Sequence, residues 1–342
     1  MEPVNLVGMT SAEIEAAITE SGEPRYRARQ IYAGVYRKLR RDWDRFTDLG
    51  KPLREKLRAR FSIEYPAASR TFVSRDGTLR YLFDVGPGQR IEAVFIPEEN
   101  RDTLCISTQV GCAMGCIFCA TGRLPMLRNL SAGEIAGQVL ALEADRGVQS
   151  KRLNIVIMGM GEPFNNYENV MSALRLMTCR EGMSISPRRI TLSTAGIAPG
   201  IDRLAREPIQ PNLAISLNAT TDAVRDRLMP VNRKWNIAAL LDACRRFPIA
   251  ERRRITFEYV LIDGINDSVE DARRLVRLLG NLRHKVNLIP LNACHALEFR
   301  PPAPERVEAF AQTLAEHYVT ASVRRPRGED IAAACGMLAA QS

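Results

Sequence analysis

Residues 111–119 read Gly-Cys-Ala-Met-Gly-Cys-Ile-Phe-Cys, and this short segment decides how the rest of the chain is interpreted. It places three cysteines, Cys112, Cys116 and Cys119, directly after a β-rich run at residues 103–107. Thiolates spaced this closely can converge on a single metal centre, and the neighbouring glycines permit the tight turn that convergence requires. The segment therefore predicts a metal-binding loop at the end of a β-strand.

Two kinds of metal centre fit a trio of cysteines. A structural zinc ion usually takes four protein ligands. No fourth Cys or His follows the trio closely, because His284, His295 and His317 lie far along the chain. An iron–sulfur cluster is held by cysteine thiolates, and three of them leave one iron of a four-iron cluster open to a ligand. We therefore favour a [4Fe–4S] cluster with an open iron over zinc.

The Cys-x3-Cys-x2-Cys spacing, with the aromatic Phe118 before the last cysteine, resembles the radical S-adenosylmethionine superfamily. The resemblance implies that the open iron binds the amino and carboxylate groups of S-adenosylmethionine. It further implies that one electron cleaves this cofactor to a 5′-deoxyadenosyl radical. In such enzymes the cofactor supplies the difficult chemistry, and the protein positions it.

Short β-rich runs alternate with helical patterns from about residue 103 onward. The runs are 103–107, 153–158, 189–193, 213–217, 255–260, 286–291 and 319–323. This alternation predicts a parallel sheet buried on both faces, with functional residues at the carboxyl ends of its strands. The alternation thus predicts an α/β fold with a closed or partly closed barrel, and the resemblance to the radical SAM superfamily implies the partial (β/α)6 barrel of that superfamily.

Two smaller regions precede the barrel in the expected domain organisation. Residues 1–65 are predicted to form a helical domain, in which Thr10 and Glu13 fit a capping box at a helix start. Residues 66–100 are predicted to form a β-hairpin linker, because an Asp-Gly turn at 76–77 separates two apolar runs. Residues 101–342 then form the radical SAM core with its C-terminal tail.

The charge of the chain points to a polyanionic partner. The formal net charge is +9, and arginines crowd the N-terminal region among four aromatic residues, Tyr26, Tyr32, Tyr36 and Trp43. This region is either an RNA-binding surface, with arginines for phosphate and aromatics for stacking, or a small domain with a solvated basic face. No apolar run is long enough to span a membrane and no secretory pattern opens the chain, so we expect a cytoplasmic protein.

Polar groups follow four of the predicted strands. Gly161 and Glu162 close the run Met-Gly-Met-Gly-Glu-Pro at 158–163, where bare glycine backbone and a carboxylate could hold the ammonium group of a ligand. The other strand ends carry Ser193, the trio Ser216, Leu217 and Asn218, and Asn292. Alone these would be ordinary turn residues, but beside the cysteine trio they predict a site for S-adenosylmethionine.

Two further cysteines stand apart from the trio. Cys105 lies on the first barrel strand, and Cys335 lies near the C-terminus after the basic run 324–327, where arginine charge would favour a thiolate. Around them the chain resembles the RlmN/Cfr family of radical methyltransferases over nearly its whole length. The matching stretches are residues 26–30, 96–98, 103–105, 109–112, 128–130, 158–163, 189–194, 287–290, 327–330 and 333–336.

The family resemblance implies a methyl transfer in two stages. The cysteine matching Cys335 is first methylated, and a hydrogen atom is then removed from that S-methyl group so that its carbon adds to an adenine. The cysteine matching Cys105 attacks the sulfur, forming a disulfide bond and releasing methylated RNA, while the carboxylate matching Glu92 accepts a proton. The matches to Gly161, Glu162, Ser193, 216–218 and Asn292 contact S-adenosylmethionine.

The expected substrate is an adenosine of 23S rRNA, methylated at C2, and tRNA is a second candidate. We expect the enzyme to be a monomer and to use an electron donor such as flavodoxin. Three alternatives stay open: methylation at C8, as in the Cfr branch; a radical enzyme acting on protein or a small molecule; and a non-enzymatic RNA-binding protein with a structural metal. Two departures from the family pattern are Asn218, where the family usually has His, and the segment 121–127, which lacks the usual glycines.

Overall fold

Fourteen strands and ten helices make up the parts of the chain that the computed structural model describes, which are residues 3–147, 153–292 and 299–340. The strands are β1 (Val4–Asn5), β2 (Phe61–Ser62), β3 (Ala68–Val73), β4 (Leu79–Gly86), β5 (Gln89–Pro97), β6 (Asp102–Cys105), β7 (Gln109–Val110), β8 (Arg128–Asn129), β9 (Leu153–Ile157), β10 (Ile190–Thr194), β11 (Asn212–Ser216), β12 (Ile255–Leu261), β13 (His284–Pro290) and β14 (Ala321–Val323). The helices are α1 (Ser11–Glu20), α2 (Arg25–Tyr36), α3 (Lys51–Arg58), α4 (Ala132–Arg146), α5 (Tyr167–Thr178), α6 (Ala198–Leu204), α7 (Asp222–Leu228), α8 (Ile237–Arg246), α9 (Val269–Leu279) and α10 (Pro304–Glu316).

A ten-stranded sheet organises the molecule, in the order β14-β13-β12-β11-β10-β9-β6-β5-β4-β3. Its seven strands from β6 to β14 pair in parallel and in chain order, as right-handed βα units require. The edge strands β14 and β3 do not pair with each other, so the barrel is open. The predicted α/β partial barrel is confirmed, and each predicted β-rich run overlaps an observed strand.

The two faces of the parallel strands differ, and the prediction that both faces are buried is wrong for part of the sheet. In β9, Leu153, Ile155 and Ile157 are buried, whereas the alternating Asn154 and Val156 are only half-buried. Strand β10 repeats this pattern. Successive residues of a strand point to opposite faces, so one face packs in the hydrophobic core and the other lines the open interior of the barrel.

The predicted β-hairpin linker belongs to the main sheet. Strands β3, β4 and β5 form the expected antiparallel meander, but β5 continues it by pairing antiparallel with β6. Long apolar runs in β4 and β5 cause this, because Leu79–Phe83 and 91–96 are buried and need a neighbouring strand. The region extends the barrel edge and does not form a separate connection.

The N-terminal region forms the expected helices, but its aromatic residues do not form a stacking surface. Thr10 and Glu13 make the predicted capping box at the start of α1. Tyr32, Tyr36 and Trp43 are at most 4% exposed and pack in the core, which leaves Tyr26 as the exposed aromatic of the four. No helix within the described ranges is long and apolar enough to cross a membrane.

Glu143 on α4 gives a test of the packing around the sheet. Burial raises the pKa of its carboxyl from 4.5 to about 7. A raised carboxyl pKa means that folding stability falls as the pH rises from about 4.5 to about 7, by up to about 3 kcal/mol. Glu143→Gln should therefore gain stability relative to the native chain at about pH 8 and little at about pH 5.

Denaturant unfolding at the two pH values measures this difference. Glu20→Gln on the exposed end of α1 is the matched control, and it should leave the pH dependence unchanged. Equal stability changes for Glu143→Gln at both pH values would contradict the assignment.

Candidate active site

A cavity with an empty volume of about 1000 Å³ lies at the carboxyl ends of the parallel strands. It gathers residues that are far apart in the sequence. Among its lining residues are the three loop cysteines, Cys112, Cys116 and Cys119, and, of the predicted cofactor residues, Gly161, Glu162, Ser193, Ser216, Asn218 and Asn292, together with Cys335. The predicted Leu217 does not line the cavity; it is fully buried, and its carbonyl accepts from Arg225 Nε at 3.0 Å.

The cysteine loop is closed at its base by strands β7 and β8, which pair antiparallel. Gly111 lies in the left-handed region at φ +81°, and a Cβ there would come within 1.9 Å of the Pro125 carbonyl oxygen. A glycine is therefore required where the loop begins. Farther along, the Ile117 amide donates to the Leu228 carbonyl at 3.1 Å and ties the loop to the end of α7.

The electrostatics of the trio suit a bound cationic group. Burial raises the pKa of Cys112 to about 11 and also raises those of Cys116 and Cys119. Negative charge on neighbouring thiols adds to the rise at Cys116. A metal centre among these sulfurs would supply the missing positive charge and hold them as thiolates. The soft sulfur donors fit an iron–sulfur cluster.

The grouping of the side chains does not by itself distinguish zinc from a cluster. Within residues 3–147, 153–292 and 299–340, no three Cys, His, Asp or Glu side chains are grouped so that they could hold one metal ion. A zinc ion would need its sulfur ligands at about 2.3 Å. The trio lines one side of a larger cavity instead.

The glycines after β9 serve the packing of the backbone. A Cβ on Gly159 would lie 2.7 Å from the Ile106 carbonyl oxygen, and one on Gly161 would lie 2.6 Å from Cβ of Gln109. The two glycines thus allow the segment after β9 to pack against the segment after β6. The sequence predicts that these glycines let a ligand approach the backbone, and both do line the cavity. The close approach of the segment after β9 to the segment after β6 is, however, what requires glycine at these two positions.

Glu162 projects a nearly inaccessible carboxylate at the cavity wall. Its Oε2 accepts from the Ala195 amide at 2.7 Å and its Oε1 from the Phe164 amide at 3.1 Å. Burial nevertheless raises its pKa to about 7. A cationic ligand beside it would favour the ionised form, which is consistent with the expected contact to an ammonium group.

Asn218 occupies a position where the backbone is left-handed, at φ +56°. Asn tolerates this conformation better than most residues. Its Oδ1 accepts from the Val260 amide at 2.8 Å, and its Nδ2 donates to Sδ of Met229 at 3.3 Å. The side chain therefore braces β12 and the segment after α7, which gives a local reason for asparagine here.

Arg225 on α7 is a site residue that sequence reasoning missed. It is fully buried, and it donates to the carbonyls of Ala195, Ser216 and Leu217 at 2.7, 3.1 and 3.0 Å. These carbonyls belong to the segments that follow β10 and β11, so one guanidinium fixes two strand ends. Burial lowers its pKa to about 10. The only signal in the sequence is one of two arginines, Arg225 and Arg227, in an otherwise ordinary helix.

The C-terminal tail is docked on the cysteine loop. The Ala120 amide donates to the Gly336 carbonyl at 2.7 Å, and the Thr121 hydroxyl donates to the Leu338 carbonyl at 2.6 Å. Asn292 Nδ2 donates to the Cys335 carbonyl at 3.0 Å. These three bonds hold the backbone around Cys335 at the cavity.

The turn between β3 and β4 holds the tail from the other side. The Ser74 hydroxyl and the Arg75 amide donate to the Asp330 carboxylate at 2.6 and 3.1 Å. The Gly328 amide donates to Asp76 at 3.1 Å. We call these contacts, made by residues 74–76 with residues 328–330, the tail clasp.

Cys105 on β6 lies within electrostatic range of Cys335 on the docked tail. Burial raises the pKa of the Cys105 thiol to about 12, and the nearby Cys335 raises it further while Arg324 lowers it. The pKa of Arg324 is raised, chiefly by its proximity to Cys335. Of the basic run noted in the sequence, Arg324 is thus the residue beside the two thiols. All seven described cysteines are free thiols, so the predicted disulfide is not formed in this structure.

Glu92 lies outside the cavity lining. Its carboxylate is fully buried, pairs with Arg80, and accepts from the Ala339 amide at 3.1 Å. Burial raises its pKa despite the arginine. The predicted proton acceptor is therefore covered by the docked tail.

Comparison with known proteins agrees with this geometry. Residues 106–276 match the radical SAM superfamily, and residues 4–63 match the ribosomal RNA large subunit methyltransferase N-terminal domain. The fold and the cysteine cavity therefore define a radical SAM protein, and superfamily membership implies a [4Fe–4S] cluster and S-adenosylmethionine.

Relatives that match nearly the full length of the chain identify the family within the radical SAM superfamily. A dual-specificity RNA methyltransferase RlmN of Geobacter sulfurreducens is 49% identical, with 98% of this chain and 92% of that protein covered. The RlmN 2 protein of Myxococcus xanthus matches to the same extent. A crystal structure of a radical SAM methyltransferase from Sphaerobacter thermophilus has a TM-score of 0.94 at 48% identity, covering 99% of this chain and 100% of that one. The chain belongs to the RlmN family.

The tail clasp should control access to Cys335. The Ser74 and Arg75 hydrogen bonds lower the pKa of Asp330, so its carboxylate stays charged near neutral pH. Asp330→Ala removes both acceptors and should increase the alkylation rate of Cys335 severalfold, as followed by mass spectrometry of the C-terminal peptide. The matched control is Asp84→Ala, at an exposed position near the end of β4 that makes no contact with the described part of the tail. An alkylation rate equal to that of the native chain would contradict the clasp.

Proposed function

We propose that this protein methylates C2 of adenosine in RNA, with 23S rRNA as the principal substrate and tRNA as a second. One observation carries the proposal: Cys335 lines the cavity that contains the cysteine trio and lies within electrostatic range of Cys105. The names of the full-length relatives support the RNA substrate and its dual specificity. The match of residues 4–63 supports RNA over a protein or small-molecule substrate.

The cofactors define the chemistry that the protein must direct. When bound, the cluster and S-adenosylmethionine supply a radical that removes a hydrogen atom from carbon. In our proposal Cys112, Cys116 and Cys119 hold the cluster, and Gly161, Glu162, Ser193, the segment 216–218 and Asn292 hold S-adenosylmethionine. Adenine C2 has no nucleophilic lone pair, so an ordinary polar displacement cannot methylate it, whereas a carbon radical can add there.

Cys335 delivers the carbon in this proposal. Its sulfur first accepts a methyl group from one S-adenosylmethionine, and that methyl group loses a hydrogen atom before it adds to C2. Addition to C2 leaves one electron in excess, which the bound cluster would take back, and Glu92 takes the C2 proton. The Cys105 thiolate attacks the sulfur of Cys335, so a Cys105–Cys335 disulfide forms as the carbon–sulfur bond to the RNA breaks, and the released methylene carbon takes up a proton to become the methyl group. An electron donor such as flavodoxin would supply the electron that cleaves S-adenosylmethionine, and a dithiol reductant would restore the two thiols. The docked tail must shift to uncover Glu92, which Ala339 now covers.

Arg324 contributes to the release step. The Cys105 thiol is neutral near pH 7, because burial raises its pKa to about 12. A thiolate is the attacking form. Arg324 lowers this pKa, and it is the cation that the structure places beside both thiols.

Substitution of the two cysteines tests the mechanism. Cys335→Ala should abolish methyl incorporation into RNA, because the sulfur that carries the methyl group is absent. Cys105→Ala should trap a covalent protein–RNA adduct, detected as a slower-migrating band in denaturing gels that nuclease removes. The matched control is Cys179→Ala, which changes a half-buried cysteine that does not line the cavity. Free turnover by Cys105→Ala would exclude the release role of Cys105.

The position of methylation is tested on the product. The anaerobically reconstituted protein is incubated with RNA and S-adenosylmethionine, and the digested nucleosides are separated by chromatography with mass detection. We expect 2-methyladenosine. Detection of 8-methyladenosine instead would place the activity with the Cfr branch, and no methylated nucleoside at all would contradict the proposed function.

A further inference from the structure

A second, larger groove occupies the opposite end of the barrel. Its empty volume is about 1660 Å³, and it lies along the amino-terminal halves of the parallel strands. It meets the active cavity at three shared residues, Met158, Glu258 and Arg324. We call it the inner groove.

The inner groove is strongly basic. Seven of its lining residues are basic and two are acidic. Both acidic residues already have partners, because Glu98 forms an ion pair with Arg101 and the Glu258 carboxylate accepts a hydrogen bond from Asn287 at 2.7 Å. Five of the basic side chains make no ion pair within the described ranges, since only Arg101 and Arg327 have a carboxylate partner. These five are Arg188, Arg189, Lys285, Arg324 and Arg325.

Polar side chains from every parallel strand line the same groove. Each of the seven strands contributes a hydroxyl or amide side chain: Thr103, Asn154, Thr191, Asn212, Thr256, Asn287 and Ser322. Neighbouring strands place some of them side by side, as Thr191 and Asn212 are register partners in β10 and β11. The interior of a closed barrel is normally filled with branched apolar side chains. The interior of this open barrel is built of groups that bind polar ligands.

The composition of the groove matches one class of ligand. Phosphate oxygens in nucleic acids are contacted mainly by Arg and Lys, together with Ser, Thr and Asn side chains. By contrast, several basic residues of the N-terminal region are already neutralised, because Arg25 pairs with Glu15, and Lys38 and Arg40 pair with Asp48. Arg324, which lines both the inner groove and the active cavity, brings the positive charge of the groove to the edge of the site.

We propose that the inner groove binds the phosphodiester backbone of single-stranded RNA that flanks the target adenosine. The base then reaches Cys335 past Met158, Glu258 and Arg324, from the side opposite to the cysteine loop. This inference rests on the proposed function and adds the path by which the RNA enters the site. Single-stranded RNA fits better than a duplex, because one unpaired strand can follow a groove inside a barrel.

The test measures RNA affinity as a function of salt. A fluorescent RNA hairpin with an adenosine in its loop is titrated with the reconstituted protein at several KCl concentrations. Each phosphate contact with a single strand contributes about 0.7 to the slope of log affinity against log salt. The double variant Arg189→Glu/Lys285→Glu should lower that slope by more than 1 and weaken binding about tenfold at about 0.1 M salt.

Two further variants make the result specific. Arg206→Glu changes an exposed arginine that follows α6 and makes no ion pair in the described parts of the chain, and it should retain the native slope. The milder double variant Arg189→Gln/Lys285→Gln removes the two charges without reversing them, so it is less disruptive to folding. Thermal unfolding checks that both double variants are folded. The milder variant should show a smaller decrease in RNA affinity and in the salt slope.

The outcomes separate the two proposals. A groove variant with the native affinity and slope would overturn the inner groove as the RNA surface while leaving the methyltransferase proposal intact. An equal loss in Arg206→Glu would also overturn it, because the effect would then reflect net charge alone. If the native protein fails to bind the hairpin at any salt concentration, the proposed function fails as well.

Discussion

The hydrogen bonds between the cysteine loop and the C-terminal tail are the constraint on which the site depends. The amide of Ala120 and the hydroxyl of Thr121 hold the carbonyls of Gly336 and Leu338. More than two hundred residues separate these partners in the chain. Because of these contacts, Cys335 lies at the same cavity as the trio of thiols and beside Cys105 on the first barrel strand. The parallel sheet brings the strand ends and the cysteine trio together. The thiol of Cys335, which does not directly follow a strand of the cavity, reaches them because the tail is docked.

Much of the fold could be predicted from the sequence, because its signals are local. The Thr10–Glu13 capping box, the Asp76-Gly77 turn and the regular alternation of β-rich and helical patterns each act within a few residues, and each predicted element is present. The cavity could be predicted for the same reason. Carboxyl ends of parallel strands converge, so polar residues that follow successive strands line one space. Six of the seven predicted cofactor residues do so, and Leu217 does not.

What the sequence could not supply depends on contacts between distant segments. Arg225 looks like any helical arginine until the fold places it behind two strand ends. The burial of Tyr32, Tyr36 and Trp43 follows from helix packing, which composition does not reveal. Similarly, the polar residues of the inner groove are single hydroxyls and amides within apolar strands, and they form a surface only when seven strands lie in register. The tail clasp joins residues 74–76 to residues 328–330 across most of the chain.

The central claim is that the new RNA methyl group passes through the sulfur of Cys335 and loses a hydrogen atom on the way. Its most direct test is to supply S-adenosylmethionine with a trideuterated methyl group and to weigh both products by mass spectrometry. The account predicts that the methyl group on the RNA retains two deuterium atoms and that 5′-deoxyadenosine gains the third. A product that retains all three would mean direct displacement from S-adenosylmethionine, and it would contradict the account.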